Sequence, residues 1–171
     1  FEEYLVSPMD LLIPNDRLRY YLLARLNTDA KPLAKTAGAI TSFSQIYPDC
    51  SHLQTTKQRL QDYLNPANDA DPTLRIPTRY LTDYKNYRHD IVHPLDTRST
   101  TFTKAYGSHY IIGTGSFLQT ARLEWRDYPE DDADSLLQLG LRWFAPEEVK
   151  ALHGSPEGFE FAEGTLRIQQ Y

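Results

Sequence analysis

The chain has 171 residues, of which 40% are hydrophobic and 24% charged, with a formal net charge of −5 and one cysteine. That length suits one domain or one domain plus part of another, and the composition suits a soluble globular protein with a real core. It excludes an internal disulfide, fits a reducing compartment, and offers no apolar run near the ~20 residues needed to span a bilayer, so no membrane partner is expected.

Phe1 to Val6 reads as a strand closed by Ser7-Pro8, and Leu18 to Leu26 as a second. Tyr20, Tyr21, Leu22 and Leu23 form a continuous apolar run, which predicts burial rather than half-exposure. Asp10 to Asp16 joins the two, with turn chemistry at Pro14-Asn15-Asp16, so an antiparallel hairpin is expected. Arg17-Leu18-Arg19 leads into the second strand. Two guanidiniums two residues apart can share one side of a strand and grip a planar acceptor such as a nucleobase carbonyl or a phosphate. Taken alone, the tripeptide reads as a surface strand start with two solvated cations.

Asn27 to Thr41 is polar and ambiguous. Cys50 lies beside His52, but adjacency in sequence does not make a catalytic pair. Gln54 to Leu64 is expected to be helical, with Leu60 and Leu64 on one face and Asn65-Pro66 as its stop. Asn65 to Asp71 has loop composition. Thr78 to Arg88 spaces Tyr80, Leu81, Tyr84 and Tyr87 as one face of an amphipathic helix. His89-Asp90-Ile91-Val92-His93 has a metal-ligand spacing if helical, but its β-branched centre and Pro94 favour extended backbone, and no metal is expected.

Phe102-Thr103-Lys104-Ala105-Tyr106 combines a cation, a hydroxyl and two aromatics, the mixture that holds a phosphate and stacks an unpaired base; core aromatics with one surface lysine explain it as well. Tyr110 to Ile112 reads as a short strand before the turn Gly113-Thr114-Gly115-Ser116, which lacks the third glycine and the lysine of a phosphate loop. Asp127 to Asp134 holds five acids and no base and is expected to be mobile. Ala145-Pro146-Glu147-Glu148 opens a helix with Pro and two acids in its first turn, Val149 and Leu152 continue it, and Gly154 ends it.

Between Thr73 and Arg126 eight Lys/Arg stand against four acids. Arg79, Lys85, Arg88 and Lys104 belong to this basic, tyrosine-bearing middle, a footprint for an anionic polymer despite the negative total; an ordinary mixed surface is the alternative.

Together these pieces resemble the C-terminal portion of the eukaryotic tRNA cytosine-C5 methyltransferases. Four stretches carry the resemblance: Phe1 to Leu26 with its Ile13-Pro14-Asn15 and Arg17-x-Arg19-Tyr20; Asp90 to Pro94 followed by Phe102 to Gly107; Gly113 to Ser116 with Leu118-Gln119; and Leu141 to Gly154. About half the chain is covered, in the family's order.

The resemblance implies a mixed α/β fragment: edge strands of an S-adenosylmethionine-dependent methyltransferase sheet (1–26), a small target-recognition domain (27–137) and a return segment (138–171). It implies that Arg19, with Arg17 beside it, holds the target base, and that Thr103, Lys104 and Tyr106 bind substrate with Arg79, Lys85 and Arg88. The family's Pro-Cys-Gln nucleophile loop, its Glu-Asn-Val and a Gly-rich cofactor loop are not in this sequence, and Asp10, Leu12 and Thr101 stand where the family has Gln, Gly and Cys. The resemblance therefore implies the tRNA-holding half of a methyltransferase, with S-adenosylmethionine bound mainly by an N-terminal half and no turnover by this chain alone. Cytoplasmic and/or nuclear action is expected. A non-catalytic RNA-binding or regulatory module, or a DNA cytosine-C5 methyltransferase fragment, are the alternatives.

Overall fold

In the computed structural model, residues 2–24, 58–83, 87–108, 113–156 and 158–165 are described. The expectations for Asn27 to Thr41, Cys50, Tyr84, Lys85 and Tyr110 to Ile112 lie outside the described residues.

Strand β1 (Glu2–Val6) pairs antiparallel with β2 (Arg19–Leu23), Val6 opposite Arg19 and Tyr4 opposite Tyr21. Ser7 ends β1 by capping a 3-10 turn at Pro8–Leu11: its Oγ accepts from the Met9 amide at 3.4 Å, and Asp10 Oδ2 accepts from the Ser7 amide at 2.8 Å. This reciprocal box satisfies amides that a turn otherwise leaves bare. The expected hairpin is present, but β2 is not buried. Tyr20, Tyr21, Leu22 and Leu23 are 52–57% exposed, because among the described residues β1 is the only element paired with it. An apolar run of this kind belongs to strands covered on both faces.

The remaining described residues close around a second small sheet. Strands β3 (Ile91–Val92) and β4 (Phe117–Leu118) run parallel, tied by Phe117 N to Asp90 O at 2.8 Å and Gln119 N to Val92 O at 2.9 Å. Arg142 then bridges antiparallel to Leu118 on one side and to Arg75 on the other, so four segments lie edge to edge in the order 91, 117, 142, 75. One apolar cluster covers this sheet, drawing on Leu60 to Leu81, Val92 to Leu118 and Leu136 to Leu152, so it runs continuously across residue 137. The result is the mixed α/β architecture expected, made of small sheets and short helices.

Helix α1 (Thr78–Asp83) buries Tyr80 and Leu81 as the spacing predicts, and Tyr80 meets Trp143 edge-on at 6.3 Å between ring centres. It is shorter than expected: Tyr87 and Arg88 are outside helical geometry. Where a helix over Gln54 to Leu64 was expected, Leu60–Tyr63 forms a 3-10 turn. The Leu60 and Gln61 amides are taken by the carbonyls of Asp96 and Pro94, both at 2.8 Å, so they do not serve an α-helical ladder. The segment expected as loop, Asn65 to Asp71, holds a 3-10 turn at Pro66–Ala70 capped by Asn65. The acidic run expected to be mobile caps helix α2 (Ala133–Gln138), Asp132 accepting from the Ser135 amide at 3.1 Å.

Helix α3 (Pro146–Leu152) follows the sequence reading, with Pro146 at its start and Gly154 at φ 68° just past its end. Its first turn anchors the core. Arg142 is fully buried and forks onto Glu148, Nη1 to Oε2 at 2.8 Å and Nη2 to Oε1 at 2.9 Å, while Nε donates to Asp69 at 2.8 Å and Nη1 to the Trp143 carbonyl at 2.9 Å. Glu148, 1% exposed, also accepts from the amides of Ala145 at 2.8 Å and Asn65 at 3.0 Å and from the Asn68 side chain at 3.1 Å. Burial alone lowers the Arg142 pKa, but the hydrogen bonds and charge of Glu148 and Asp69 outweigh it and raise it. A buried pair of this kind is strongly destabilising to break from one side, since the orphaned charge stays in the core. Arg142→Met, with Glu148 left in place, is expected to lose about 3–5 kcal/mol of unfolding free energy, measured by urea denaturation. A loss below about 1 kcal/mol would contradict this role for the pair.

Candidate functional site

The loop from Ile13 to Asp16 is where the hairpin meets the rest of the molecule. Asn15 is fully buried, and its Nδ2 reaches the Leu152 carbonyl at the end of α3 at 3.5 Å. Ser99 Oγ donates to the Pro14 carbonyl at 2.8 Å, the Asp16 amide donates to the Ser99 carbonyl at 2.7 Å, and Thr101 Oγ1 donates to the Asp16 carbonyl at 2.9 Å. The next amide, that of Arg17, donates to Ser7 Oγ at 3.2 Å. The backbone entering Arg17-Leu18-Arg19 is therefore clamped on both sides before either guanidinium begins.

The 99–101 segment is itself held from behind. Ser116, fully buried, accepts from the Thr100 amide at 2.8 Å and lies 3.1 Å from the Thr100 hydroxyl, while its own hydroxyl donates to Asp90. Asp90 in turn takes two bonds from Arg98, at 3.0 and 3.1 Å. Gly115, next to Ser116, is required by contact as well as by its φ of 150°: a Cβ there would stand 2.6 Å from the Tyr106 ring and 2.8 Å from Phe102. The glycine-containing turn thus packs against aromatics, a structural task rather than a phosphate cradle.

Two clefts flank the Asn15-Asp16-Arg17 backbone, each of about 330 Å³. Arg17 and Arg19 line the first, with Asn15, Tyr20, Tyr21 and His153. The second is lined by Asp16, Thr100, Thr101 and Thr103 and by Tyr87, Arg88, His89 and Asp90, with Phe117 also among its lining residues.

Over its whole length the chain is 30% identical to the mouse tRNA (cytosine(38)-C(5))-methyltransferase, of which it covers 55%. The solved structure of the Schizosaccharomyces pombe Dnmt2 methyltransferase matches 98% of the chain with a TM-score of 0.73 at 27% identity. Over its whole length the chain is thus similar to tRNA cytosine-C5 methyltransferases. It spans about half the length of the relatives it matches, 55% of the mouse protein and 49% of the S. pombe structure. A Dictyostelium discoideum relative, 29% identical, is named a DNA (cytosine-5)-methyltransferase. No family model matches the chain.

Of the candidate residues named from sequence, some line these clefts and others do not. Arg17 and Arg19 share the first, and Arg19 donates to the Leu18 carbonyl at 3.0 Å. Thr103 lines the second, and Lys104 stands exposed on the turn that Thr103 opens. Arg88 also lines the second cleft and is forked by both oxygens of Glu130. Arg79 lies apart, its guanidinium 5.0 Å above the Tyr80 ring. Arg17, Arg19, Arg79 and Lys104 make no ion pair with a described carboxylate. Lys85 lies outside the described residues. Tyr106 needs a correction: it is fully buried, donates to the Ser116 carbonyl at 2.6 Å and accepts from the Phe144 amide at 2.8 Å. Its ring is committed to the core and is not available to stack on a base.

Sequence reasoning missed Asp16, Ser99, Thr100 and Ser116 as parts of the site. In the sequence Thr101 stands out only as a departure from the family's cysteine, and the structure gives that hydroxyl a task in holding Asp16. The paired histidines separate as extended backbone requires. His93 accepts from the Leu95 amide at Nδ1 (3.0 Å) and meets the Leu123 carbonyl at Nε2 (3.1 Å), whereas His89 stacks on Phe117 at 5.3 Å. The described residues do not fit S-adenosylmethionine by themselves. No Gly-rich strand end leads into α1, α2 or α3, and the Asp90 carboxylate, which could otherwise hold a ribose, is committed to Arg98 and Ser116.

Thr101→Val is expected to speed amide exchange at Asp16 and Arg17 while global stability falls by only about 1 kcal/mol, and Thr101→Ser should restore the slow exchange. A second expectation concerns pH. Burial lowers the His89 pKa from its ordinary 6.5, so the unfolded chain binds that proton more readily. Its contribution is therefore complete above about pH 6.5 and declines as pH falls below it; His89→Phe should flatten this part of the stability–pH profile measured by thermal unfolding.

Proposed function

We propose that this chain is the target-recognition half of a tRNA cytosine-C5 methyltransferase site, with Arg17 and Arg19 facing the cytosine and Thr103 and Lys104 facing the RNA backbone. The observation that carries this reading is the clamp on the Arg17-Leu18-Arg19 backbone: two guanidiniums without a described acid partner, lining one cleft, on a backbone tied to the segment that continues into Thr103 and Lys104. A cytosine drawn out of its stack presents a ring carbonyl that accepts from a guanidinium, and charge developing on the ring during attack at C6 is stabilised by the same donors. Lys104, exposed on its turn, supplies a cation suited to a phosphate.

S-adenosylmethionine is the methyl donor for this class of enzyme, and on this reading it and the cysteine nucleophile belong to a portion of the protein outside the chain. The exposed apolar run of β2 supports that division, since Tyr20 to Leu23 offer a strand suited to a larger sheet. The name of the Dictyostelium relative keeps a DNA substrate in view as a second reading.

Three measurements test the proposal. In the full-length protein, Arg19→Ala should reduce methylation about 10²-fold or more, and unchanged turnover would remove Arg19 from the site. Lys104→Ala should weaken tRNA binding and lower the salt dependence of affinity by about one phosphate contact, with tRNA preferred over duplex DNA when both are titrated side by side. The isolated chain should show no stoichiometric S-adenosylmethionine binding by calorimetry.

A further inference from the structure

The second cleft enters the reading above only through Thr103, one of its lining residues. We propose that it is a nucleotide subsite that receives the base adjacent to the target cytosine, and that Asp16 selects there for a base carrying an exocyclic amino group. The inference rests on the proposed function, because it takes the first cleft as the place of the cytosine.

Position is the first argument. Asn15 and Arg17 line one cleft and Asp16 lines the other, so a single extended backbone forms the partition between them. Consecutive side chains of extended backbone point to opposite sides. A nucleotide chain whose cytosine enters the arginine cleft has its neighbouring base one backbone step away, on the Asp16 side.

Chemistry is the second. The cleft volume of about 330 Å³ lies at the low end for small-molecule sites. Tyr87 provides an aromatic wall, Thr103 provides a hydroxyl, and Arg88 provides a cation whose ion-pair partner among the described residues is the exposed Glu130. Such a pair is worth little and yields readily to a phosphate, which a guanidinium grips by the same fork.

Selectivity is the third. Among the described residues two carboxylates border the cleft, and Asp90 is committed to Arg98 and Ser116. Asp16 is exposed, its backbone is fixed by Ser99 and Thr101, and its carboxylate has no hydrogen-bond or ion-pair partner among the described residues. A carboxylate accepts from the amino groups of cytosine, adenine or guanine and repels the carbonyl oxygens of uracil.

The test uses the full-length protein and RNA stem-loops with one unpaired cytosine, the base on either side of it varied through U, C, A and G. Single-turnover methylation is expected to disfavour uracil at one of the two neighbouring positions by about ten-fold or more. Asp16→Asn, which leaves both backbone bonds in place and can donate as well as accept, should bring that discrimination to within about two-fold while the best substrate still reacts. Equilibrium binding of the same RNAs by fluorescence anisotropy should show the same loss of preference. Indifference of the wild-type protein to both neighbours, or full discrimination retained by Asp16→Asn, would overturn the subsite. An RNA-binding protein that methylates no cytosine in any of these RNAs would instead overturn the functional reading on which the subsite rests.

Discussion

Everything placed around the clefts depends on the buried fork between Arg142 and Glu148. Arg142 is the third segment of the small sheet, bonded through its backbone to Leu118, while its side chain fills Glu148 at the start of α3 and reaches Asp69. One residue thus ties the sheet to a helix and to a 3-10 turn 73 positions earlier in the chain. Full satisfaction is what makes the burial tolerable: each Glu148 oxygen accepts from more than one donor, and the guanidinium has partners on all three nitrogens. An apolar pair of the same volume would pack there, but it would not specify which carbonyls and amides meet, and those meetings set the height and angle of α3.

From α3 the constraint passes to the site. The Leu152 carbonyl receives Asn15 from 137 residues away, and Gly154 lets the chain turn where a larger residue would press on Ile13. From the sheet a second line runs through Asp90 and Ser116 to Thr100, and from Ser99 and Thr101 to the Pro14–Asp16 backbone. The two lines converge on the residues immediately before Arg17. Guanidiniums are long and flexible, so their usefulness rests on the rigidity of the backbone that carries them. The hydrogen bonds found here are to main-chain carbonyls and amides, which is the arrangement that fixes a backbone without constraining the side chains it presents.

The hairpin shows the same division of labour from the other side. Its core-side connection is polar and bonded, while β2 itself presents two tyrosines and two leucines at more than half exposure. Consecutive side chains of a strand alternate, so β2 presents apolar groups on both of its faces. The chain spans about half the length of the relatives it matches.

What was legible in the sequence was whatever local chemistry dictates. The Ser7-Pro8 stop, the Pro146 start and Gly154 end of α3, the buried face of α1 and the pairing of β1 with β2 follow from capping groups, fixed φ angles and the period of apolar residues. The family motif singled out Arg17 and Arg19, and the structure places both on one cleft. The sequence could not show that Leu60 and Gln61 spend their amides on the 94–96 loop, that Tyr106 is sealed in the core, or that Tyr20 to Leu23 lie exposed among the described residues. Nor could it show that Asp16, Ser99, Thr101 and Ser116 meet, because small polar residues in loops carry no periodic signal and their partners stand 85 positions apart for Ser99 and Thr101. Local pattern determines which segments are strand, turn or helix; only tertiary packing decides which amides and hydroxyls face each other, since those pairings are set by how the core closes and not by any residue's own neighbours.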